Sequence, residues 1–373
     1  MSIVVGTSIG AGMLGLPVET ARSGFFPSIC LFLLTWFITI VTGLLFSDVI
    51  LSRAPNSNYV SLGKTILGKK YTGVIFGFYI LLFYSLIAAY TKAVGTLLAH
   101  DFSLVGSAWA GSLFFIFLFL PLMCLGTSFI GRVNGFLTIL MLGSFFLLIS
   151  LGVQNVSLPF LAHQNWAQSF FSLPLLISSF GFHGTLPSLV DYLDRDRRKI
   201  QWAIVVGCTI TLLIYLAWEF LVLGSVPLTG EISLTSAWMN DQTAITPMSQ
   251  LSQNSSLWSF AHVFSLTAII TSFCGVSIGL IDFLIDAFQW KRSFATKAAL
   301  LSAIYVSVLL LSLTDLRIFY LSLNYGAGIA GIFLLIFLPA FMARKAGHQG
   351  KTIATVLVFS AVALASCLIS FFV

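Results

Sequence analysis

The chain is made almost entirely of apolar runs, and nearly every run is long enough to cross a bilayer. A hydrocarbon core about 30 Å thick needs about 20 apolar residues in a helix. Only 8% of the 373 residues are charged, whereas soluble domains carry about 25%. The sequence therefore predicts an all-α polytopic membrane protein with eleven transmembrane helices, numbered 1 to 11 and covering about 2–22, 25–49, 71–98, 108–125, 133–153, 169–193, 200–223, 257–284, 295–313, 319–343 and 352–373.

The basic residues of the loops predict how these helices are oriented. Cytoplasmic loops of membrane proteins carry an excess of lysine and arginine. Only Arg22 and Arg317 fall in one set of alternate loops. We therefore expect a cytoplasmic N-terminus and a C-terminus on the outer face. The opposite, cytoplasmic set holds fifteen basic residues: Arg53, Lys64, Lys69, Lys70, Arg132, Arg195, Arg197, Arg198, Lys199, Lys291, Arg292, Lys297, Arg344, Lys345 and Lys351.

Two glycine-rich stretches interrupt helices 1 and 6. Residues 6–17 read GTSIGAGMLGLP and residues 178–187 read SSFGFHGTLP, so both end in Leu-Pro. Glycine permits non-helical dihedral angles, and proline removes a backbone donor. Interrupted spans at corresponding positions of two halves are typical of the binding site of a secondary transporter. Close packing of small residues between helices is the alternative explanation.

The predicted orientation makes the two interrupted helices symmetry partners. Helices 1–5 and 6–10 each contain an odd number of spans, so the two halves begin on opposite sides of the membrane. The sequence therefore predicts a 5+5 inverted repeat, with residues 1–158 as the first repeat and 159–343 as the second. Residues 344–373 add helix 11. The longest outer loop, 224–256, is interpreted either as a lid or as an ordinary surface loop.

The backbone that is freed at such breaks suits an amino-acid zwitterion. Amides at the start of a half-helix favour a carboxylate, and carbonyls at its end favour an ammonium or a metal cation. Small residues let the substrate approach helix 1, and aromatic residues of helix 6 would stack on a flat substrate ring. The predicted substrate-binding residues are Ser8, Gly10, Ala11, Gly12, Met13 and Gly15 of helix 1 and Ser179, Phe180, Gly181, Phe182 and His183 of helix 6.

Ionisable side chains inside the spans are candidates for ion coupling, because a charge in the membrane is costly. These are Lys92 of helix 3, His183 of helix 6, Glu219 of helix 7 and Asp282 of helix 8. His183 lies within a break, and histidine changes charge near neutral pH. Simpler roles compete: Lys92 can extend to the interface, Glu219 can form a structural pair, and His183 can hydrogen-bond freed backbone.

Four segments resemble the aromatic amino acid permeases, the bacterial tyrosine and tryptophan transporters of the hydroxy and aromatic amino acid permease family. They are residues 6–17, 179–188, 218–224 and 275–284, and the similarity extends over essentially the whole chain, with the tyrosine permease branch closest. The resemblance implies a leucine-transporter-like fold in the bacterial inner membrane. It also implies cation-coupled import of an aromatic amino acid, with tyrosine favoured over tryptophan or phenylalanine and protons favoured as the coupling ion.

The resemblance also implies further site residues. Transporters of this fold can hold sodium between the break of helix 1 and hydroxyls of helix 8, here Thr271 and Ser272. Hard cations prefer such oxygen ligands, but ordinary hydrogen bonding between helices is the alternative. The choice between proton and sodium stays open from sequence.

Helices 3 and 10 contribute weaker candidates. The fold analogy brings part of helix 3 past the substrate, and Tyr84 is the predicted contact, with Tyr79 and Tyr90 as competitors. Asn324 and Tyr325 are predicted gate residues of helix 10. The family motif begins here at residue 6, earlier than is usual, so a short first half-helix is expected.

Other classes of function fit the sequence less well. A membrane enzyme would need a nucleophile–base pair, a carboxylate dyad or a metal cluster at one depth, and the adjacent His100 and Asp101 lack a nucleophile. A channel would need a ring of polar pore residues. A serine/threonine or broader neutral amino acid permease is the real competitor, with sodium as its alternative coupling ion. We expect no enzymatic activity.

Few partners are expected beyond the substrate. The five cysteines lie in apolar runs without metal-ligand spacing, and thiols of that kind are usually structural. No cofactor is expected other than the coupling proton or sodium ion. The predicted partners are an aromatic amino acid and the lipid bilayer, with neither nucleic acid nor an obligate protein partner. No cleavable signal peptide is expected, because the first apolar run lacks a basic start.

Overall fold

The computed structural model describes residues 2–53, 59–101, 107–125, 127–251, 255–314, 317–347 and 350–370. Within these ranges every regular element is a helix. Nine helices of the described chain are long and apolar enough to cross a membrane. A tenth helix, Ala108–Cys124, is apolar but shorter, with 17 residues. The eleventh predicted span, helix 1, is divided into two short helices. The predicted all-α architecture of eleven spans is confirmed.

The helix bounds agree with the predicted spans to within three residues, except that helix 5 begins at Thr127, six residues before its predicted start. Helix 6 begins with the short segment Trp166–Ser169 and the turn Phe170–Ser172, and the loops contain the short helices Tyr59–Ile66, Leu158–Leu161, Leu234–Met239 and Ile245–Leu251. The membrane helices are Ser2–Ser8 (1a), Ala11–Thr20 (1b), Phe25–Leu51 (2), Lys69–Asp101 (3), Ala108–Cys124 (4), Thr127–Gly152 (5), Leu173–Ser179 (6a), Leu186–Tyr192 (6b), Arg197–Ser225 (7), Ser255–Ala287 (8), Phe294–Ser312 (9), Ile318–Lys345 (10) and Lys351–Ser370 (11).

Local chemistry fixes the ends of several helices. Gly24 joins helices 1 and 2 with φ +87°, and a Cβ there would lie 1.9 Å from the carbonyl oxygen of His163, so both conformation and space require glycine. Asp196 caps helix 7 by accepting the amides of Arg198 and Lys199. Those amide bonds, that of Lys199 above all, hold the pKa of the Asp196 carboxyl below its usual range.

Four of the five pairs of corresponding helices in the two halves pack against each other. Helix 1 contacts helix 6, helix 2 contacts helix 7, helix 3 contacts helix 8, and helix 4 contacts helix 9. This pairing is what a two-fold axis in the membrane plane would produce. The boundaries of the two repeats, 1–158 and 159–343, stay a prediction.

Burial separates central helices from peripheral ones. In helices 6 and 10, 67% and 72% of the most apolar stretch is buried within the protein, whereas only 17% is buried in helix 9. Large side chains such as Phe117 of helix 4 and Ile139 of helix 5 are exposed, as expected for residues that face lipid. The broken helix 6 therefore lies at the centre of the protein.

Candidate functional site

Helix 1 is broken at Ile9 and Gly10. Helix 1a ends at Ser8, and Gly10 is extended (φ −148°, ψ −167°) before helix 1b begins at Ala11. Any residue can adopt this conformation, so glycine is required by space. A Cβ on Gly10 would lie 2.4 Å from Ser272 Oγ of helix 8 and 3.5 Å from the Tyr90 hydroxyl of helix 3. Hydroxyl groups of two other helices therefore border the break.

The Leu-Pro pair of helix 1 does not mark its break, which corrects the reading of that motif. Pro17 lies inside helix 1b, seven residues after Gly10. Because proline has no N–H, the carbonyl of Met13 loses its normal helical donor. Trp218 Nε1 of helix 7 donates to that carbonyl oxygen at 3.0 Å, and both side chains are fully buried. The indole thus replaces the missing amide.

Helix 6 is broken between Ser179 and Leu186. Gly181 leaves the helical conformation (φ −73°, ψ 46°), and a 3-10 turn, Phe182–Thr185, leads into helix 6b. Pro187 lies in the first turn of helix 6b, where a missing N–H costs little. The Leu-Pro pair therefore restarts helix 6, whereas in helix 1 the pair lies well beyond the break.

Tyr215 of helix 7 connects the two breaks. Its hydroxyl oxygen lies 2.6 Å from the carbonyl oxygen of Ser8 and 2.8 Å from that of Ser179, so its single proton is shared between them. Ser8 and Ser179 are the last residues of helices 1a and 6a, and carbonyls at helix ends lack intrahelical donors. One side chain thus satisfies the freed carbonyls of both half-helices.

A buried hydroxyl lies beside the first turn of helix 1b. The first amides of a helix have no acceptor within it, and here they belong to Ala11 and Gly12. A Cβ on Gly12 would lie 2.8 Å from Ser179 Oγ of helix 6. This hydroxyl is buried and has no hydrogen-bond partner among the described residues. Amides and a hydroxyl arranged in this way suit a carboxylate.

Sequence comparison identifies the protein class to which these breaks belong. The model of the tryptophan/tyrosine permease family matches residues 1–373. The chain belongs to this family. It is therefore a membrane-embedded amino acid permease and not an enzyme.

Individual relatives of this permease are distant but extend over most of its length. A tryptophan-specific transport protein of Haemophilus influenzae is 31% identical, over 93% of this chain and 86% of the relative. A tryptophan-specific transport protein of Shigella flexneri is also 31% identical, over 92% and 84%. A tyrosine-specific transport system of Haemophilus influenzae is 28% identical, over 92% and 86%.

Solved structures confirm the fold of the permease. The transporter MhsT in complex with L-phenylalanine aligns with a TM-score of 0.59 at 15% identity, covering 99% of this chain and 96% of that one. A manganese transporter of Eremococcus coleocola aligns with a TM-score of 0.63 at 12% identity, covering 99% and 84%. Both have the leucine-transporter-like fold that the resemblance to the permease family implied.

The aromatic residues of the helix 6 break are directed toward other helices of the permease. Phe180 contacts Tyr215 of helix 7, with ring centroids 5.1 Å apart. The Phe182 ring lies against Gly43 of helix 2, where an added Cβ would come within 2.7 Å of it. Both phenylalanines are fully buried. In this conformation they form the walls behind the break.

His183 is also directed toward helix 2. Its Nε2 lies 2.9 Å from Thr42 Oγ1. The Thr42 hydroxyl donates to backbone carbonyls of its own helix, at 3.0 Å for Ile38, so it accepts from Nε2–H. The other ring nitrogen, Nδ1, then has a free lone pair and no partner among the described residues. His183 is thus held as the Nε2–H tautomer beside the break.

Glu219 joins helix 7 to the outer end of helix 1b. One carboxyl oxygen is hydrogen-bonded to Thr20 Oγ1, while the other is buried without a partner in the described part of the chain. Thr20 Oγ1 also lies 2.8 Å from the carbonyl oxygen of Leu16, so its single proton is shared between that carbonyl and the Glu219 carboxyl group.

The remaining predicted residues divide between the break and other places. Ser272 lies at the break beside Gly10, whereas the Thr271 hydroxyl donates to its own helix, at 2.9 Å to Thr267. The Tyr84 hydroxyl donates to Ser307 of helix 9 at 3.0 Å, away from the break. Its competitor Tyr90 is the helix 3 tyrosine that reaches Gly10.

Lys92 and the rest of the predicted set lie farther out. Lys92 lines an outer cavity together with Asp241 and Arg317. Gly15 packs against Phe319 of helix 10, where an added Cβ would approach the ring to 3.1 Å. The side chain of Ala11 lies outside the described residues. In the described chain, no three histidine, cysteine, aspartate or glutamate side chains come together as a metal site.

The outer loop packs on both helices that it covers. Asp241 accepts the amides of Phe319 and Tyr320 at the start of helix 10, at 3.0 and 3.1 Å. The amide of Ala244 donates to the carbonyl of Leu14 in helix 1b at 3.1 Å. The loop predicted as either lid or surface segment is therefore attached to helix 1b and to the first turn of helix 10.

Proposed function

We propose that this permease imports aromatic amino acids across the bacterial inner membrane by cation-coupled alternating access. The observation that carries the proposal is the unpartnered hydroxyl of Ser179, which lies against Gly12 in the first turn of helix 1b. A substrate carboxylate binds there, because amides at a helix start carry partial positive charge. The substrate ammonium binds carbonyl oxygens at the ends of helices 1a and 6a, which have a second lone pair besides the one directed at Tyr215.

We propose tyrosine as the preferred substrate, with tryptophan as the second candidate. The four segments that resemble the family are closest to the tyrosine permease branch, whereas the two relatives that are 31% identical are named tryptophan-specific. The aromatic side chains around the break suit a flat ring better than a small hydroxyl side chain. A serine/threonine permease is the competing hypothesis.

Opening of the inner side requires helix 1a, in the predicted inner half of helix 1, to separate from helix 6a, in the predicted outer half of helix 6. Tyr215 hydrogen-bonds the last carbonyl of each half-helix, so separating them costs a buried hydrogen bond. Helix 1b and helix 10 are held by the outer loop. We expect the N-terminus, and with it helix 1a, on the cytoplasmic side, because the basic loops lie there.

Protons are the coupling ion that we propose. His183 and Glu219 are the fully buried titratable candidates next to the broken helices, and each has a ring nitrogen or carboxyl oxygen without a partner among the described residues. Sodium is the alternative, with Ser272 Oγ and break carbonyls as oxygen ligands. Thr271 supports sodium less, since its hydroxyl is hydrogen-bonded within helix 8.

Uptake into proteoliposomes tests the function directly. Purified protein is reconstituted, and proton and sodium gradients are imposed separately while uptake of labelled tyrosine, tryptophan, phenylalanine and serine is measured. We expect tyrosine accumulation under the proton gradient alone. Transport of serine without any aromatic substrate would contradict the proposal, and accumulation only under the sodium gradient would contradict proton coupling.

Two variants with side chains that do not titrate test the coupling residues. Glu219→Gln and His183→Gln are compared with Asp282→Asn. The Asp282 carboxylate lies near Arg292, close to the C-terminal end of helix 8. A coupling variant loses accumulation driven by protons but still exchanges labelled for unlabelled substrate, because exchange needs no net proton movement. Full accumulation in either variant removes that residue from the coupling mechanism.

A further inference from the structure

A second polar cavity lies at the predicted outer ends of the broken helices. Its volume is about 320 Å³, within the range of small-molecule sites. It is bounded by helices 1, 6, 10 and 11 and by Trp238 of the outer loop. Glu19, Arg22 and Arg317 contribute charges, and Phe171, Tyr320 and Asn324 add aromatic and amide groups.

The charged groups of this cavity are held in fixed positions. The guanidinium carbons of Arg22 and Arg317 lie 3.7 and 3.6 Å from the Trp238 ring centre. Two guanidinium groups cannot overlap on one face, so they cover opposite faces of the indole. Trp238 Nε1 donates to Glu19 Oε2 at 3.2 Å, and the amide of Asn324 also hydrogen-bonds this carboxylate.

These arginines are the two basic residues that the sequence places in the outer loops. Stacking on Trp238 uses the faces of their guanidinium groups and leaves edge N–H groups for other acceptors. Guanidinium edges recognise carboxylates with paired hydrogen bonds. Glu19 supplies the opposite charge in the same cavity. The cavity therefore offers a partner for the carboxylate and a partner for the ammonium of a zwitterion.

The cavity is separate from the break of helix 1. Glu19 lies eight residues after Ala11, which is about 12 Å along a helix. Gly15 lies between them and packs against Phe319 and Tyr320, which are almost completely buried. The first turn of helix 10 therefore closes the space between the two places.

We propose that this outer cavity binds a second zwitterionic aromatic amino acid, a substrate molecule on its way to the breaks. Its ammonium pairs with Glu19, its carboxylate pairs with the edges of Arg22 and Arg317, and its ring packs against Phe171 and Tyr320. This inference rests on the proposed function for the identity of the ligand. The site loads substrate while the outer loop is closed over helices 1 and 10.

Counting bound substrate tests the inference. Purified protein in lipid nanodiscs is titrated with labelled tyrosine, and in parallel with labelled tryptophan, to saturation. We expect two molecules per chain in the wild type. Glu19→Gln and Arg317→Gln reduce the count to one, and Gly12→Ala, which crowds Ser179 at the break, also reduces it to one. Glu231→Gln, an exposed carboxylate of the same loop, keeps two.

The outcomes separate failure of this inference from failure of the proposed function. One bound molecule in the wild type overturns the second site. Two molecules in both outer-cavity variants overturn the placement in this cavity. If the wild type binds neither tyrosine nor tryptophan, the proposal that its substrate is an aromatic amino acid is contradicted instead. Glu19→Asp guards against misfolding, since a folded variant with a shorter carboxylate retains the second molecule with weaker affinity.

Discussion

Trp218 donates its indole N–H to the carbonyl oxygen of Met13 at 3.0 Å. This is the carbonyl that Pro17 leaves without a helical donor, one turn after the break of helix 1. A proline is therefore tolerated in a central membrane helix because a neighbouring helix supplies the missing hydrogen bond. Helix 7 thereby fixes the position of helix 1b.

Trp218→Phe is expected to destabilise the permease by about 1–3 kcal/mol, the usual cost of an unsatisfied buried carbonyl. Thermal unfolding in detergent measures the effect. Trp202→Phe is the matched control, because Trp202 lies on the same helix and is 70% exposed. Equal losses in both variants would contradict the assigned role of the indole.

Pro17→Ala is expected to reduce the cost of Trp218→Phe. Alanine at position 17 restores an N–H for the Met13 carbonyl, so the indole becomes redundant. The two single variants and the double variant form a double-mutant cycle, which isolates this coupling. Simple additivity of the two unfolding free energies would show that Pro17 and Trp218 act independently.

Tyr215→Phe is expected to lower transport by about tenfold or more while leaving a folded protein, since a lost buried bond of about 1.4 kcal/mol is a factor of ten. The carbonyls of Ser8 and Ser179 lose their shared donor, so the end of helix 1a is no longer held against the end of helix 6a. Uptake and melting temperature are measured side by side. Tyr305→Phe is the control, because that buried hydroxyl binds Ser277 away from the breaks. Unchanged uptake in Tyr215→Phe would exclude the coupling role.

The sequence predicts the helices and breaks of this protein because their causes are local. Apolar length determines each span, and glycine content at residues 6–17 determines the interruption. The role of Pro17 could not be predicted in the same way, since its compensating donor lies about two hundred residues away in helix 7. Local pattern therefore identifies a broken helix without fixing the residue at which it breaks.

The residues that organise the site were partly detectable. Tyr215, Trp218 and Glu219 are spaced by three and four residues and share one face of helix 7, and all three contact helix 1. A polar face on an apolar helix is a signal of that contact. The placement of Trp238 between Arg22 and Arg317 carries no such periodic signal, because it depends on how a loop folds over two distant helix ends.

Gly10→Ala is expected to abolish most transport. Its Cβ would lie 2.4 Å from Ser272 Oγ and 3.2 Å from Ser272 Cβ, so the hydroxyl must move and the break must widen. Gly6→Ala is the control on the same helix, since nothing lies within 4 Å of a Cβ there. Uptake rates of both variants decide the matter: equal activity would show that the space around Gly10 is not limiting.

Asp241 is expected to make the attachment of the outer loop dependent on pH. Burial raises the pKa of its carboxyl above the ordinary value of 3.8, while the amides of Phe319 and Tyr320 and the charges of Lys92 and Arg317 act in the opposite direction. An acid whose pKa is raised on folding contributes stability below its unfolded pKa and loses that contribution as pH rises through the folded pKa.

The asparagine of Asp241→Asn is neutral at every pH, so the variant does not lose stability when the wild-type carboxyl ionises. The variant should gain stability relative to the wild type as the pH rises from below about 4 to about 7, although it keeps only one of the two amide bonds at full strength. Melting temperatures of both proteins across that range test the sign. Glu231→Gln, exposed in the same loop, should follow the wild type throughout. A gain that shrinks as pH rises would mean that the two amides of helix 10 stabilise the ionised carboxylate more than burial opposes it.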